Sequence, residues 1–379
     1  MAGCAGLEYD KEERLKLLGN AVNSSKTPST SPEDPEIGVE GGRKRATIND
    51  IARLAGVSKK TVSRVINQSP FVRDETRERI EAVIAEWGYA PDPQARGLAF
   101  RRSFLIGMVY DNPNPQYVVN MQLGLLDGMR GSGFELVVHP CNRASPTFLQ
   151  DIRSFVERQK LFGVVLPPSV SEDERVAKLL NEIGCAYIRI ASVELDKPEH
   201  MIVGHDRLGG EVMGQHLVEL GHKRIGFVNG LPNFRSSHER RGGLEDALKK
   251  AGVELDPNYV VQGAYTFESG LACGEALLAM NPRPTAIFCG NDEMAAGALQ
   301  AARRAGLKVP DDLTVVGFDD FQIAQAVWPP LTTIHIPTRE VGRIAAEKLI
   351  GREAREARDP ASTIPYLVLR ESSAAPPKS

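Results

Sequence analysis

From residue 103 to about 370, short apolar runs alternate with amphipathic stretches of helical length, and this alternation limits the available folds more than any other feature. The runs are FLIGMVY (104–110), FELVVH (134–139), FGVVL (162–166), AYIRI (186–190), IGFVN (225–229), TAIFC (285–289) and LTVVG (313–317). Helices are predicted over 116–131, 147–160, 172–184, 207–221, 238–252, 268–280, 292–306 and 338–351. Unbroken β-branched runs imply strands buried on both faces, hence parallel sheets covered by helices. Seven strong strands and some weaker ones, spread over about 270 residues, fit two doubly wound α/β lobes better than one. Ligands in such folds bind outside the carboxyl ends of the strands. In a two-lobed body both sets of ends can face one cleft.

Charge is segregated. The net charge is −3, yet residues 43–102 alone carry +6, the preceding 42 carry −4 and the rest −5. A basic segment on a mildly acidic body reads as a polyanion-binding head. Residues 46–90 predict three short helices. Thr47 and Asp50 form a capping-box-like start, followed by apolar residues at Ile48, Ile51, Ala52 and Ala55. Gly56 breaks this helix. Ser58 caps a second one, whose buried stripe is Val62, Val65 and Ile66. A third follows Asp74, burying Ile80, Val83, Ile84 and Trp87 and ending at Gly88. Two short helices joined through a Gly-containing turn make a helix-turn-helix.

The chain thus divides into a disordered tail (1–45), an all-α helix-turn-helix domain (46–90), a linker (91–102), a two-lobed body (103–371) and a disordered C-terminal end (372–379). The tail is rich in Pro, Ser, Gly and Glu. Its first 25 residues lack the apolar core of a secretory signal, and no apolar run is long enough to cross a membrane, so a cytoplasmic protein is expected. Five dispersed cysteines without a CxxC pair fit reduced thiols, and seven dispersed histidines form no metal spacing. Neither a metal nor a cofactor is expected. No heptad repeat marks the C-terminal end, so assembly beyond a dimer is not encoded there.

The segment ATINDIARLAGVSKKTVSRVINQSPFVRDETRERI, followed by a linker and a two-lobed α/β body, resembles the lactose/galactose repressor (LacI–GalR) family of bacterial regulators. Further matching pieces are VELGHKRIGFVNG (218–230), PTAIFCGNDEMAAGAL (284–299), VPDDLTVVGFDD (309–320) and PPLTTIHIP (329–337), and the likeness covers roughly residues 46–371. It implies a helix-turn-helix head on a periplasmic-binding-protein-like body. A recognition helix presents its N-terminal residues to major-groove base edges. By resemblance Lys59, Lys60 and Arg64 are the base-reading positions. Arg64 can reach guanine O6 and N7 together, whereas the two lysines could instead hold phosphate. Thr61 and Ser63 are assigned to phosphates, with Thr47, Ser58, Asn67 and Arg96 completing the DNA-binding set. QARGLA (94–99) matches the hinge helix of the family, which forms when two protomers meet on the operator. Leu98 occupies the position of its minor-groove wedge, or else packs the linker on the body. Gly97 should weaken that helix by about 0.5–1 kcal/mol.

For the effector pocket the resemblance assigns Arg240, Asn291 and Asp319. A guanidinium fork, a carboxamide and a carboxylate suit the hydroxyls of a polyol. Tyr265 matches an aromatic stacking position, and Ser236, Tyr117 and Trp328 are further candidates. Asp292 and Asp320 are read as an N-cap and a surface carboxylate. Should the helix register slip by one, Arg241 replaces Arg240. No GxxxxGK[ST], GxSxG or HExxH motif appears, and the pocket set lacks a nucleophile beside a base, so no enzyme is expected. The expectation is a homodimeric repressor of carbohydrate-utilisation genes, bound to a pseudo-palindromic duplex operator and released by a sugar inducer. Alternatives are a regulator activated by a purine or other metabolite as corepressor, and a stand-alone sugar-binding protein.

Overall fold

The computed structural model describes residues 46–66, 71–89, 103–351 and 360–377. The expectations placed on the tail, on Asn67 and on the hinge with Arg96 and Leu98 lie outside these residues. The chain divides into two compact units between Ala90 and Pro91.

The first unit holds three helices: α1 (Ile48–Leu54), α2 (Lys59–Ile66) and α3 (Asp74–Glu86). Thr47 and Asp50 close a reciprocal capping box on α1. Gly56 turns the chain at φ +65°, a conformation that side chains resist. Ile51, Val62, Val65, Val72 and Ile80 form the buried centre. Trp87 is not part of it. The helix stops at Glu86, Trp87 stands at the C-cap with 52% of its surface exposed, and Tyr89 packs against the core instead.

In the second unit, β1 (Leu105–Tyr110), α4 (Pro115–Met129), β2 (Glu135–Pro140), α5 (Phe148–Gln159), β3 (Gly163–Leu166), α6 (Glu174–Glu182), β4 (Ala186–Ala191) and β5 (Met201–Val203) build the first lobe. Its sheet runs β2-β1-β3-β4-β5, all parallel. The chain then enters α7 (Asp206–Glu219), β6 (Ile225–Asn229), α8 (Arg235–Lys250), β7 (Val260–Gln262), α9 (Phe267–Leu278), β8 (Ala286–Cys289), α10 (Asp292–Arg304), β9 (Thr314–Val316) and the short α11 (Gln322–Ala326). These make a second parallel sheet, β7-β6-β8-β9. After β10 (Thr333–His335) the chain returns, and α12 (Thr338–Leu349) packs on α4. Gly124 permits that approach, since a Cβ there would lie 2.0 Å from the Arg339 carbonyl oxygen. Finally β11 (Tyr366–Val368) pairs antiparallel with β10.

The four strands absent from the sequence prediction, β5, β7, β10 and β11, have three residues each. The expectation of a disordered end at 372–379 is corrected for residues 372–377. Ser372 is fully buried. Its hydroxyl accepts from the Thr332 amide at 2.8 Å and donates to the Val315 carbonyl at 2.5 Å. Ala374 then bonds Thr314 and His222. The segment is held by backbone groups of Val315 and Thr332 and by the side chains of Thr314 and His222, contacts that composition does not reveal.

Candidate interlobe ligand site and nucleic-acid interface

In the first unit, α2 turns Val62 and Val65 inward and leaves Lys59, Lys60 and Arg64 exposed. Ser58 precedes it; its Oγ accepts the Thr61 amide at 3.1 Å and lies 2.8 Å from Thr61 Oγ1. Thr61 and Ser63 are half-buried on the same helix. Thr47 donates its amide and hydroxyl to Asp50, and these bonds hold the Asp50 carboxyl below the usual range. The helix thus offers three cations on one face and an apolar stripe on the other.

In the second unit a cavity of about 690 Å³, counted to its open mouth, lies between the lobes. It sits outside the carboxyl ends of strands from both sheets, where doubly wound folds bind ligands. Of the seven residues expected there, Tyr117, Ser236, Arg240, Tyr265, Asn291 and Asp319 line it. Trp328 does not and is corrected. Val327 is extended, two prolines follow, and Leu331 takes the core position, so Trp328 is carried outward and left 83% exposed. Arg240, rather than Arg241, faces the cavity; Arg241 pairs with Glu245 at the surface.

Arg240 is the hub. Its Nε donates to Asp206 Oδ1 at 2.8 Å, and its Nη1 lies 3.1 Å from Asp319 Oδ1 and 2.5 Å from the Gly290 carbonyl oxygen. The guanidinium also stacks 3.9 Å over the Phe318 ring. Burial pushes the Asp319 carboxyl up to about 7, opposed by Arg240 and reinforced by Asp206. Tyr265 and Asp319 adopt φ of +63° and +104°, strained for side-chain-bearing residues and found where a backbone is forced to serve a site. The Tyr265 hydroxyl lies 2.7 Å from Ser237 Oγ and 3.4 Å from Ser236 Oγ. Its ring occupies the space that a Cβ on Gly230 would take, 2.0 Å away. Asn291 spends its groups locally: Oδ1 caps α10 through the Met294 amide and Nδ2 donates to the Tyr265 carbonyl.

Two sequence readings change here. Asn291, not Asp292, is the N-cap of α10. Asp292 is buried and accepts from the Phe321 amide and the Thr333 hydroxyl. Asp320 is no surface carboxylate; it holds His335 at 2.9 Å and Arg370 at 2.6 Å.

Asp206 and Asn114 were missed. Asp206 follows the unrecognised β5, and nothing local separates it from a surface charge. Asn114 had a signal, an Asn directly before a Pro at the first helical position. Its Oδ1 accepts the Gln116 and Tyr117 amides at 2.9 and 3.2 Å. That pins the carboxamide and leaves Nδ2 buried at the cavity wall, without a partner among the described residues.

Comparison with known proteins follows the same division. Residues 47–92 match the model for bacterial regulatory proteins of the lacI family, and residues 215–373 match that for a periplasmic binding protein-like domain. The ribose operon repressor of Haemophilus influenzae is 32% identical over 329 residues, covering 86% of this chain and 98% of the relative. The chain belongs to the LacI family. The transcriptional regulator CelR of Thermobifida fusca is 34% identical over 340 residues, covering 87% of this LacI-family chain and 99% of CelR. A solved CelR–cellobiose complex superposes with a TM-score of 0.64 at 30% identity, covering 87% of this chain and all of the other. A lac repressor dimer bound to operator and an anti-inducer gives 0.68 at 27%, covering 88% and all of that chain. As a member of this family the chain is a DNA-binding transcriptional regulator, and α2 is the second helix of its helix-turn-helix.

Proposed function

We propose that this LacI-family regulator represses transcription by gripping a pseudo-palindromic operator as a homodimer, and lets go when an uncharged sugar fills the cavity between its lobes. The observation that carries the reading is the Arg240 hub. Two carboxylates share one guanidinium, so acceptors are in excess and an anionic ligand is disfavoured. Hydroxyls suit this set because each both donates and accepts. Relatives named for the ribose operon and a CelR–cellobiose complex support the same class.

On DNA, Arg64 reads a base edge, Lys59 and Lys60 read bases or hold phosphate, and Thr47, Ser58, Thr61, Ser63, Asn67 and Arg96 position the head. Leu98 wedges the minor groove through the hinge. The domain limits are those read from the sequence, with the body extended through residue 377. The protein works in the cytoplasm, on the nucleoid when bound; no helix among the described residues is long and apolar enough to cross a membrane. The cavity binds without turnover, since its lining sets no nucleophile beside a base.

The test is fluorescence anisotropy on a duplex recovered from a random pool, with pentoses, hexoses, disaccharides and purine bases added in turn. A sugar should weaken operator binding at least about fivefold, the lower end of ordinary allosteric coupling. A purine that strengthens binding would convert the reading to a corepressor switch. Absence of any duplex preference would refute it.

A further inference from the structure

Two side chains of the first lobe reach across the cleft to one short turn of the second. Glu172 Oε2 accepts the backbone N–H of Arg235 at 3.1 Å, and Arg143 Nη1 donates to the Asn233 carbonyl at 3.4 Å. They come from separate loops: Glu172 ends a 3-10 turn (Val170–Glu172), and Arg143 follows β2. Between the two gripped groups stands Phe234, 4% exposed and lining the cavity. Helix α8 starts at Arg235 and carries Ser236 and Arg240. Its own N-cap, Phe234, supplies no side-chain bond, so a carboxylate of the opposite lobe satisfies its first amide. A helix N-terminus is where negative charge is favoured.

Both ends of this contact are stiff. Arg189 is 1% exposed; its Nε donates to the Ser171 carbonyl at 2.7 Å and its Nη2 to Glu174 at 2.6 Å. Ser171 Oγ donates to the Ile190 carbonyl at 2.6 Å. Glu172 is therefore fixed relative to the first sheet. On the other side, Ser237 Oγ donates to the Leu231 carbonyl at 2.8 Å, and His238 Nε2 lies 2.9 Å from the Pro232 carbonyl oxygen. Yet the fit is incomplete. Three buried side-chain polar atoms lack a partner among the described residues, and two of them are Arg143 Nε and Glu172 Oε1. Unpaired buried polar atoms oppose the arrangement that buries them, so this closure is held against a counterforce at the same spot.

We propose that Glu172 and Arg143 form an interlobe clamp on residues 233–235 that holds the lobes closed and sets where Phe234, Ser236 and Arg240 stand. Neither residue lines the cavity; both are positioning residues. The bearing on the effector rests on the reading of the cavity as its site, whereas the clamp itself is tested without any ligand.

The experiment is hydrogen–deuterium exchange by mass spectrometry on the full chain and on Glu172→Ala, Glu172→Gln and Arg143→Ala. In Glu172→Ala, exchange over residues 235–240 should rise about tenfold, the factor for losing one charge-assisted hydrogen bond. Exchange in β3 and β8 should stay unchanged. Glu172→Gln keeps an oxygen acceptor for the Arg235 amide but loses the charge, and should fall between the parent and Glu172→Ala. Arg143→Ala should raise exchange around residue 233 without affecting the two strands. Unchanged exchange at 235–240 in Glu172→Ala, a Gln variant equal to the Ala variant, or a parallel rise in β3 and β8 would each overturn the clamp.

Discussion

Ser192, directly after β4 of the first lobe, donates its hydroxyl to Asp206 Oδ2 at 2.6 Å. The other oxygen of Asp206 takes Nε of Arg240 in the second lobe. Asp206 opens α7 just after the chain has crossed between lobes, so one carboxylate ties the crossover to both sides of the cleft. Removing it leaves Arg240 buried with a single carboxylate. Breaking a buried charge pair from one side costs about 3–5 kcal/mol. Asp206→Ala should therefore lower the unfolding free energy by about 3 kcal/mol and abolish the ligand response. Urea unfolding and the anisotropy assay measure the two effects separately.

Asp319 should make stability and ligand affinity depend on pH in opposite ways. Its carboxyl sits at about 7 in the folded chain against an ordinary 3.8. The folded protein thus binds this proton more tightly than the unfolded chain, and the stability it contributes is complete below 3.8 and lost as pH rises to about 7. Asp319→Asn removes the titration. The stability of the parent relative to the variant should fall across that window and level off above it. A ligand hydroxyl donating to Asp319 is held more strongly by the ionised form. Parent affinity should therefore drop below about pH 7, by at most about tenfold per pH unit. A parent–variant difference in unfolding free energy that is flat between pH 4 and 7 would remove Asp319 from this role.

Most of this architecture was legible because buried parallel strands leave unbroken β-branched runs, as in IGFVN and TAIFC. Arg240 was legible through the family motif around it, with the neighbouring Arg241 left as the alternative. What escaped was nonlocal. Asp206 gains its role only when β5 and α8 are brought together. Ser372 lies in a segment whose composition reads as disorder, yet it is stitched to Val315 and Thr332, dozens of residues away. Trp328 shows the reverse: an aromatic beside a family motif carries no information about which way two following prolines will turn it.

Asn114 separates a capping role from a recognition role. An aspartate in its place keeps an oxygen for the Gln116 and Tyr117 amides but loses the amide donor. Asn114→Asp should leave the thermal midpoint essentially unchanged while ligand affinity falls at least about tenfold. Asn114→Ala should lose both. Thermal-shift titrations with the sugar that stabilises the parent decide it; equal affinity in Asn114→Asp would assign the residue to capping alone.

On the head, point charge and planar fork should act differently. Arg64→Ala should relax preference at one symmetric pair of operator positions, at a cost of about 1–3 kcal/mol for the favoured base. Lys59→Ala, if Lys59 contacts phosphate, should weaken all sequences alike and reduce the salt slope by about one. Binding-site selection and salt titrations on the same duplexes distinguish them. A Lys59 variant with altered base preference would move that residue to the base-reading set.

The C-terminal segment should act as structure rather than as a tail. Ser372 and Ala374 make side-chain and backbone bonds to β9 and to Thr332, and His222 donates through Nε2 to the Ala374 carbonyl oxygen at 2.8 Å. Deleting residues 372–379 exposes the buried Thr332 amide and Val315 carbonyl. Each hydrogen bond lost contributes about 1 kcal/mol net, and groups left buried and unpaired cost more. Truncation should thus destabilise the body by about 2–4 kcal/mol, with operator preference intact because the head is a separate unit. Ser372→Ala isolates the innermost contact and should account for about 1–2 kcal/mol of that loss. Chemical unfolding of the three proteins side by side gives the answer, and a truncated chain as stable as the parent would show these bonds to be dispensable.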